Sequence, residues 1–506
     1  MSGVLEHLAL GMGVAFSGLN LLIAAIGGVI GTIVGVLPGL GPINAVAMLV
    51  PIAFAMQLPP ESALILLAAV YVGAEYGGRI SSILINVPGE ASAVMTTLDG
   101  YPLARKGLAG VALSLSAWSS FVGSTIAIFG VLLFAPLLAQ WAVAFGPAEY
   151  FVLMVFAFCA LTSLLGEQPV KGVIAALTGL AISTVGVDSN SGVYRYTFDI
   201  TNLSDGIDFV VVVIGLFAVS EMLQMLENLL RGHSISVPKS ERKLFNFREL
   251  RQTWWTSVRG GLVGSIVGVL PGAGASIASA VAYSSEKKLV EGRDSEAQFG
   301  KGDLRGLAAP EAANNASATG SFIPMLTLGV PGSGTTAVMM GALTLYNITP
   351  GPALFEYQPQ IVWGLIASLF IANFMLLMMN IPMVRIFAAM LNIPSWLLVP
   401  GILAISFIGV WALNGTNFDL YLVVIIGLVG YFFRKLDVPL APLVLGVVLG
   451  NLMEQNLRRA LSISNGELGI LFQSNISIAL WVLAISVIVF PPMMRRWIGG
   501  RKAPAN

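Results

Sequence analysis

The sequence predicts an all-α protein that crosses a membrane many times and is built from two repeats. Apolar residues make up 56% of its 506 positions and charged residues only 10%, whereas soluble domains carry about 25% charged residues. Mean hydropathy is +0.85. A segment with a Pro-Gly pair also occurs twice, each time at the end of an apolar run. Duplicated apolar halves with broken helices are typical of secondary transporters.

A membrane-spanning helix needs about 20 mostly apolar residues. Spans are predicted near 18–36, 107–138, 148–164, 170–186, 208–230, 358–391, 396–413, 418–433, 438–453 and 475–494. Shorter apolar pieces lie near 42–56, 61–74, 78–87, 276–285, 308–318, 320–329 and 335–346. These pieces are too short or too broken for plain spans, so we predict broken helices or re-entrant hairpins there.

The duplicated segments define two halves of the chain. Residues 27–41 read GGVIGTIVGVLPGLG and residues 260–274 read GGLVGSIVGVLPGAG, with eleven identical positions. A second echo places NVPG at 86–89 against GVPG at 329–332. We predict a first transmembrane repeat at 1–230, a basic linker at 231–259, a second repeat at 260–457, and a C-terminal helix with a basic tail at 458–506.

Charge predicts the orientation of these parts. The linker is the longest basic segment, and the C-terminal tail is also basic, so the positive-inside rule puts both in the cytoplasm. The N-terminus has no Lys or Arg before Arg79, which fits the outer side. This pattern favours inverted repeats, although copies without inversion stay open. The first 17 residues lack a basic start and a cleavage site, so no removable signal peptide is expected.

The first pair of Pro-Gly breaks predicts a binding site. Proline blocks a helical hydrogen bond and glycine admits close backbone approach. A helix that restarts there points free N–H groups and a positive end at its surroundings, which suits an anion. The alternative is a tight turn between packed helices. The candidate substrate-binding residues of this pair are Pro38, Gly39, Gly41, Asn44, Gly272, Gly274 and Ser276. The rows Gly27/Gly31/Gly35 and Gly260/Gly264/Gly268 favour helix packing instead.

The second pair of breaks is followed by small and hydroxyl residues. It adds the candidate substrate-binding residues Pro88, Gly89, Pro331, Gly332, Ser333, Thr335 and Thr336. Arg79 stands in an apolar context, where its guanidinium could hold a carboxylate through two hydrogen bonds. It could equally extend to the membrane interface or pair with Glu75. Asp99, in DGYP, is expected in a turn.

Oxygen-bearing side chains near the breaks are candidates for a coupling cation. Two adjacent amides in APEAANNASATG offer uncharged oxygens, although helix–helix hydrogen bonding is the alternative. Buried acidic groups inside a membrane are also functional candidates. The cation-coupling candidates are Asn86, Glu90, Asn314, Asn315 and Thr319, with Na⁺ as the metal considered.

Other chemistries are disfavoured. The single cysteine, Cys159, excludes an internal disulfide and a cysteine metal cluster. His7 and His233 lie outside the predicted spans, and no serine has an evident partner, so an intramembrane enzyme is not expected. The phosphate-binding motif GxxxxGK[ST] does not occur in the sequence, so ATP hydrolysis by this chain is not expected. Zero net charge gives no sign of nucleic-acid binding, and no cofactor beyond a coupling Na⁺ or H⁺ is expected.

The motifs GVLPGLGP, DGYPLARKG, FGKG, APEAANNA, PMLTLGVPGSGTTAV and ITPGPALF follow in order from about residue 20 to beyond residue 440. Together they resemble the TctA family, the large membrane subunit of the tripartite tricarboxylate transporters. The resemblance implies about a dozen helices and a bacterial inner-membrane location. It also implies two partners, a small membrane subunit and a periplasmic solute-binding protein. A small residue often stands in that family where this chain has Arg79.

We therefore expect a carrier that imports a di- or tricarboxylate such as citrate. Moving one charge through 100 mV is worth roughly 2.3 kcal/mol, so an anion entering an inside-negative cell needs coupled cations. A carboxylate channel is the alternative and needs no coupling ion. A structural subunit of a membrane complex is a further alternative, but it would not need duplicated breaks with hydroxyl-rich tips.

Overall fold

The computed structural model describes residues 2–164, 169–188, 190–231, 244–271, 274–294 and 297–499. In the first half the helices are α1 (Ser2–Ala15), α2 (Gly18–Val36), α3 (Gly41–Ala55), α4 (Pro60–Ile85), α5 (Val94–Leu103), α6 (Ala109–Ala142), α7 (Pro147–Leu164), α8 (Pro169–Ser183), α9 (Phe209–Val213) and α10 (Ser220–Leu230). In the second half they are α11 (Phe247–Val269), α12 (Gly274–Glu291), α13 (Leu304–Gly320), α14 (Phe322–Leu328), α15 (Gly334–Leu345), α16 (Ala353–Tyr357), α17 (Pro359–Asn380), α18 (Val384–Ala389), α19 (Ser395–Asn414), α20 (Asn417–Lys435), α21 (Leu440–Ile463) and α22 (Asn475–Gly499).

The predicted all-α membrane fold is confirmed. Within the described residues, eight helical stretches are long and apolar enough to cross a membrane. The strands of that part of the chain, β1 (Gly186–Val187) and β2 (Tyr194–Arg195), form one short antiparallel hairpin. The division into 1–230, 231–259, 260–457 and 458–506 stays a prediction.

Two predicted boundaries are wrong. The pieces near 61–74 and 78–87 form one helix, Pro60–Ile85, and its most apolar window is completely buried. Its glycines do not break it, because Gly73 and Gly77 lie against the backbone of α2. Conversely, the single span predicted at 358–391 ends at Asn380. Pro382 follows in a turn, where it cannot donate the next helical hydrogen bond.

The glycine rows pack the helices as the sequence predicts. A Cβ atom on Gly31 would overlap the carbonyl oxygen of Val70, and one on Gly264 would overlap that of Ala313. The same contact recurs one turn later in each pair, where Gly35 meets Ala74. Small residues let two backbones approach closely. The rows therefore place α2 against α4 and α11 against α13, with each pair parallel.

Further contacts relate α6 to the second half. Ser257 bonds Ser119 at 3.0 Å, and four residues further along both helices Gly261 lies against Gly123. Helix α6 therefore runs parallel to α11, and hence to α13.

Helix α4 runs the other way. Asn373 accepts a hydrogen bond from Tyr76 at 2.9 Å and donates one to the carbonyl of Phe121 at 3.1 Å. Arg79, further along α4, bonds Ser116, which lies earlier in α6. Helices α4 and α13, which occupy matching places in the two halves, thus point in opposite directions. Inverted repeats would have this arrangement; the inversion itself stays a prediction.

Two buried carboxylates fix neighbouring segments. Asp188, beside the hairpin, accepts a hydrogen bond from the Asn190 N–H at 2.9 Å. It also forms an ion pair with Arg458 at 2.9 Å. The hydrogen bond from the Asn190 N–H and, to a smaller extent, the Arg458 guanidinium lower the pKa of Asp188 to about 2. Asp99 lies within α5 rather than in the expected turn, and it accepts the backbone N–H groups of Gly302 and Asp303, each at 2.8 Å. This carboxylate therefore joins the two halves.

Candidate functional site

The first two Pro-Gly breaks have nearly the same backbone conformation. Leu37 ends α2 with φ −78° and ψ 115°, and Leu270 ends α11 with φ −76° and ψ 120°. The next helices start at Gly41, with φ +59°, and Gly274, with φ +62°. Both values lie in the left-handed region that favours glycine. Each break therefore reverses the chain at a residue with no side chain. Gly272 lies outside the described residues.

The second pair of breaks is equally matched. Asn86 after α4 has φ +57°, and Gly329 after α14 has φ +64°. Glu90 and Ser333 then adopt extended conformations, with φ −150° and −148°. Each marks the point where the chain becomes helical again. The backbones of the two halves thus agree at both breaks, although the side chains differ.

The tips of these breaks line one cavity of about 320 Å³. That volume lies within the roughly 300–1,000 Å³ of small-molecule sites. Of the predicted site residues, those on its wall are Gly39, Gly41, Asn44, Glu90, Gly274, Ser276, Ser333 and Thr335. Those that are described but are not part of the wall are Pro38, Arg79, Asn86, Pro88, Gly89, Asn314, Asn315, Thr319, Pro331, Gly332 and Thr336. Five of these residues lie in the non-helical segments of the breaks: Pro38, Pro88, Gly89, Pro331 and Gly332.

Ser333 and Thr336 have a structural part in this arrangement. The Ser333 hydroxyl accepts the Thr336 N–H at 3.2 Å, and the Thr336 hydroxyl accepts the Ser333 N–H at 2.9 Å. This reciprocal cap satisfies N–H groups at the start of α15. Thr336 is fully buried, whereas Thr335 faces the cavity.

Each half reaches across to the tip of the other. The Tyr71 hydroxyl lies 3.1 Å from the Ser333 hydroxyl, and the Asn314 amide donates to Glu90 at 3.4 Å. Tyr71 and Asn314 lie 243 positions apart, as do Glu90 and Ser333. The two contacts therefore involve equivalent positions: in each, a helix residue of one half contacts the second break of the other half. They join the halves at the cavity.

One turn-and-a-half of α13 holds oxygens without hydrogen-bond partners. Among the described residues, the side-chain oxygens of Asn314, Asn315, Ser317 and Thr319 are buried and unbonded. Most buried polar atoms find a partner, so four such oxygens on one helix are unusual. Uncharged oxygens of this kind are ligands for a hard cation. Ser317 was not predicted, because serine in a small-residue helix is typical of packing.

Two carboxyl groups meet beside the cavity. Glu75 and Glu90 lie within hydrogen-bonding reach of each other, and the Ser92 hydroxyl donates to Glu75 at 3.3 Å. A hydrogen bond between two carboxyl groups requires a proton on one of them. The alternative of an ion pair between Glu75 and Arg79 is not favoured, since Glu75 lines the cavity and the Arg79 guanidinium bonds α6 and α17 instead.

Arg79 lies away from the cavity wall. It is fully buried and donates to the Leu113 carbonyl at 2.5 Å, the Ser116 hydroxyl at 2.8 Å and the Asn380 amide oxygen at 3.0 Å. These acceptors belong to α6 and α17. Arg79 thus ties three helices together behind the site.

We expect Arg79→Gln to act on stability rather than on ligand affinity. The substitution removes hydrogen bonds from a charged group and leaves buried acceptors unpaired, which costs about 3 kcal/mol. Thermal unfolding in detergent would show a lower midpoint. The dissociation constant (Kd) of citrate, the ligand expected from the sequence, would stay within about twofold of the unsubstituted protein for the folded fraction. A large loss of citrate affinity at unchanged stability would contradict this and favour direct binding by Arg79.

Sequence reasoning missed two charged residues at the site. Arg434 lines the cavity, and Glu221 is its ion-pair partner at 2.6 Å. Arg434 stands next to Lys435 at the end of an apolar run, so the pair is typical of a span end at the interface. No local motif marks it as part of a site.

Comparison with known proteins bears on what this cavity does. The family model described as the tripartite tricarboxylate transporter TctA family matches residues 21–445. An Agrobacterium vitis protein named as an uncharacterized 52.8 kDa protein in the TAR-I ttuC' 3' region is 39% identical over 489 residues, covering 97% of this chain and 96% of its own. A second A. vitis protein, named for the TAR-II ttuC' 3' region, is 42% identical over 226 residues, covering 45% of this chain and 92% of its own. No solved structure matches.

Proposed function

Because the chain belongs to the TctA family, and is thus a membrane transporter of the tricarboxylate transporter type, we propose that it imports a di- or tricarboxylate together with a cation. The substrate class is a citrate-like anion, and the proposed binding site is the cavity between the broken tips. As a member of a transporter family, the chain is not expected to be an enzyme.

One observation carries this proposal. The first residues of three helices line the same cavity: Gly41 of α3, Gly274 of α12 and Gly334 of α15. The start of a helix has free N–H groups and a partial positive charge, so it attracts anions. Three such starts converge on one space, and hydroxyls of Ser276, Ser333 and Thr335 add neutral donors. A carboxylate ligand fits this set better than a cation or an apolar molecule.

The coupling cation would bind next to the anion. The unpartnered oxygens of Asn314, Asn315 and Thr319 supply neutral ligands for Na⁺, and the Glu75–Glu90 pair supplies a group that can exchange a proton. Asn314 donates to Glu90, so the two sets are in contact. Asn86 turns the chain toward them but lies off the wall. Coupling is needed because each negative charge moved inward against 100 mV costs roughly 2.3 kcal/mol.

The setting of the carrier follows from its family and its charges. We propose a bacterial inner-membrane protein that works with a small membrane subunit and a periplasmic solute-binding protein. The N-terminus would lie on the periplasmic side, and the linker and C-terminus in the cytoplasm. Residues 232–243 of the basic linker and residues 500–506 of the C-terminal tail lie outside the described residues.

Uptake measurements test the proposal. The chain, its small subunit and its binding protein would be reconstituted in proteoliposomes and supplied with radiolabelled citrate or succinate, with Na⁺ and pH gradients imposed separately. We expect accumulation above equilibrium under one of the gradients, which also identifies the ion.

Two results would contradict the proposal. Downhill flux that ignores both gradients would favour the carboxylate channel. No flux from an intact complex would mean that the substrate class or the required partner is wrong.

A further inference from the structure

An ion pair on the cavity wall joins the last turn of α20 to α10. Nη1 of Arg434 lies 2.6 Å from Oε2 of Glu221, and Nε of Arg434 donates to the Ser220 hydroxyl at 3.0 Å. Of the cavity-lining residues in the described part of the chain, Arg434 alone carries a positive charge. Its side chain is 25% exposed, whereas that of Glu221 is 7% exposed. The guanidinium is therefore the accessible member of the pair.

Glu221 also contacts the first broken tip. A Cβ atom on Gly39 would lie 2.5 Å from Oε1 of Glu221. Only a residue without a side chain leaves room for the carboxylate there. One carboxylate thus lies between the tip at Gly39 and the cation of α20.

A guanidinium has five N–H donors in a planar fork that matches a carboxylate. Glu221 and Ser220 occupy part of the Arg434 fork, and the cavity gives access to it. We propose that Arg434 binds a carboxylate of the substrate and that Glu221 competes with the substrate for this guanidinium. The inference rests on the proposed function, because it requires an anionic substrate in this cavity.

The neighbouring ion pair provides a matched control. Lys435 pairs with Glu227, which also accepts a hydrogen bond from Tyr431 at 2.9 Å. This pair joins the same two helices, with Lys435 next to Arg434 and Glu227 six positions after Glu221, yet neither member lines the cavity. Substitutions in it make the same charge changes near the site without touching the proposed competition.

The test measures Kd for citrate and succinate by titration calorimetry on the purified chain in detergent. In Arg434→Gln we expect Kd to rise at least tenfold, which is about 1.4 kcal/mol, because the substrate loses hydrogen bonds to a charged group. In Glu221→Gln we expect Kd to fall several-fold, because the competitor has lost its charge. Lys435→Gln and Glu227→Gln should leave Kd within about twofold. Thermal unfolding of each variant verifies the fold.

The opposite signs distinguish competition from a structural ion pair, for which loss of either partner would weaken binding. Equal losses in Arg434→Gln and Glu221→Gln, or no change in either, would overturn the inference while citrate binding by the unsubstituted chain upholds the proposed function. An increase of affinity in Glu227→Gln equal to that in Glu221→Gln would also overturn it.

If Arg434→Gln does not fold, Arg434→Lys replaces it; a Kd unchanged by loss of the planar fork would overturn the inference. If the unsubstituted chain binds neither carboxylate, the proposed function itself fails.

Discussion

Gly332→Val is expected to abolish uptake while the protein still inserts into the membrane. A Cβ atom at Gly332 would lie 2.8 Å from both Cα and Cβ of Ser321 and 3.0 Å from the Gly268 carbonyl oxygen. Backbone atoms cannot move aside as a flexible side chain can, so the tip that carries Ser333 and Thr335 must shift. A displacement of about 1 Å in a binding site can cost a hundredfold in rate. Radiolabelled citrate uptake at equal membrane content of the protein measures the effect.

A substitution at Gly274 tests the other break through backbone strain rather than atomic overlap. The space around Gly274 is open, but its φ of +62° is costly for a β-branched residue. Gly274→Val should therefore also stop uptake, through backbone strain rather than overlap. Gly401→Val is the matched control, since Gly401 has open space and a helical conformation in α19. Normal uptake in both tip variants would show that the breaks do not form the site.

The breaks could be predicted from the sequence because their chemistry is local. Pro38 lacks an N–H group in any conformation, and glycine permits the left-handed conformations that Gly41 and Gly274 adopt. The continuity of helix α4 could not be predicted from the sequence, because it depends on packing against α2. Gly73 would weaken an isolated helix, but here it lies beneath the backbone of α2, and that packing keeps the helix intact.

Charged residues at the site were harder to predict than small ones. Arg434 is more than 300 positions from Asn44 in the chain, and only tertiary packing brings both to one wall. Arg79 shows the reverse case. An arginine among apolar residues near a break is typical of a ligand site, yet its acceptors lie on α6 and α17, which local sequence cannot reveal.

The two halves also differ in a way that a repeat alone does not predict. Where the first half has Glu90, the second has Ser333, and where the first has Tyr71, the second has Asn314. Matching backbone positions thus carry an acid in one half and a hydroxyl in the other. Under the proposed function, this difference would let the site bind an anion and a coupling cation side by side.

The cation side of that asymmetry leads to a second large expected effect. In the double variant Asn314→Leu/Asn315→Leu, uptake should need at least tenfold more of the coupling cation for half-maximal rate. Leucine has the same branching and number of side-chain heavy atoms as asparagine, with two larger methyl groups and no oxygen. The Oδ1 atoms of both asparagines are buried without partners. Losing one neutral ligand to an ion is comparable with losing a hydrogen bond to a charged group, about 1.5–3 kcal/mol. Uptake measured across Na⁺ concentrations and across pH would show which cation is affected.

Asn373 supplies the control that separates coordination from packing. It is also a buried asparagine, but its amide oxygen accepts from Tyr76 and its amide nitrogen donates to Phe121 and Thr125. Asn373→Leu should therefore lower thermal stability and leave the cation dependence unchanged, because no oxygen is free to bind an ion. If the Asn314/Asn315 variant lost stability in the same way and kept its cation dependence, the unpartnered oxygens would belong to helix packing. Under the proposed function, the Glu75–Glu90 pair would then be the next candidate for coupling, since both carboxyls line the cavity.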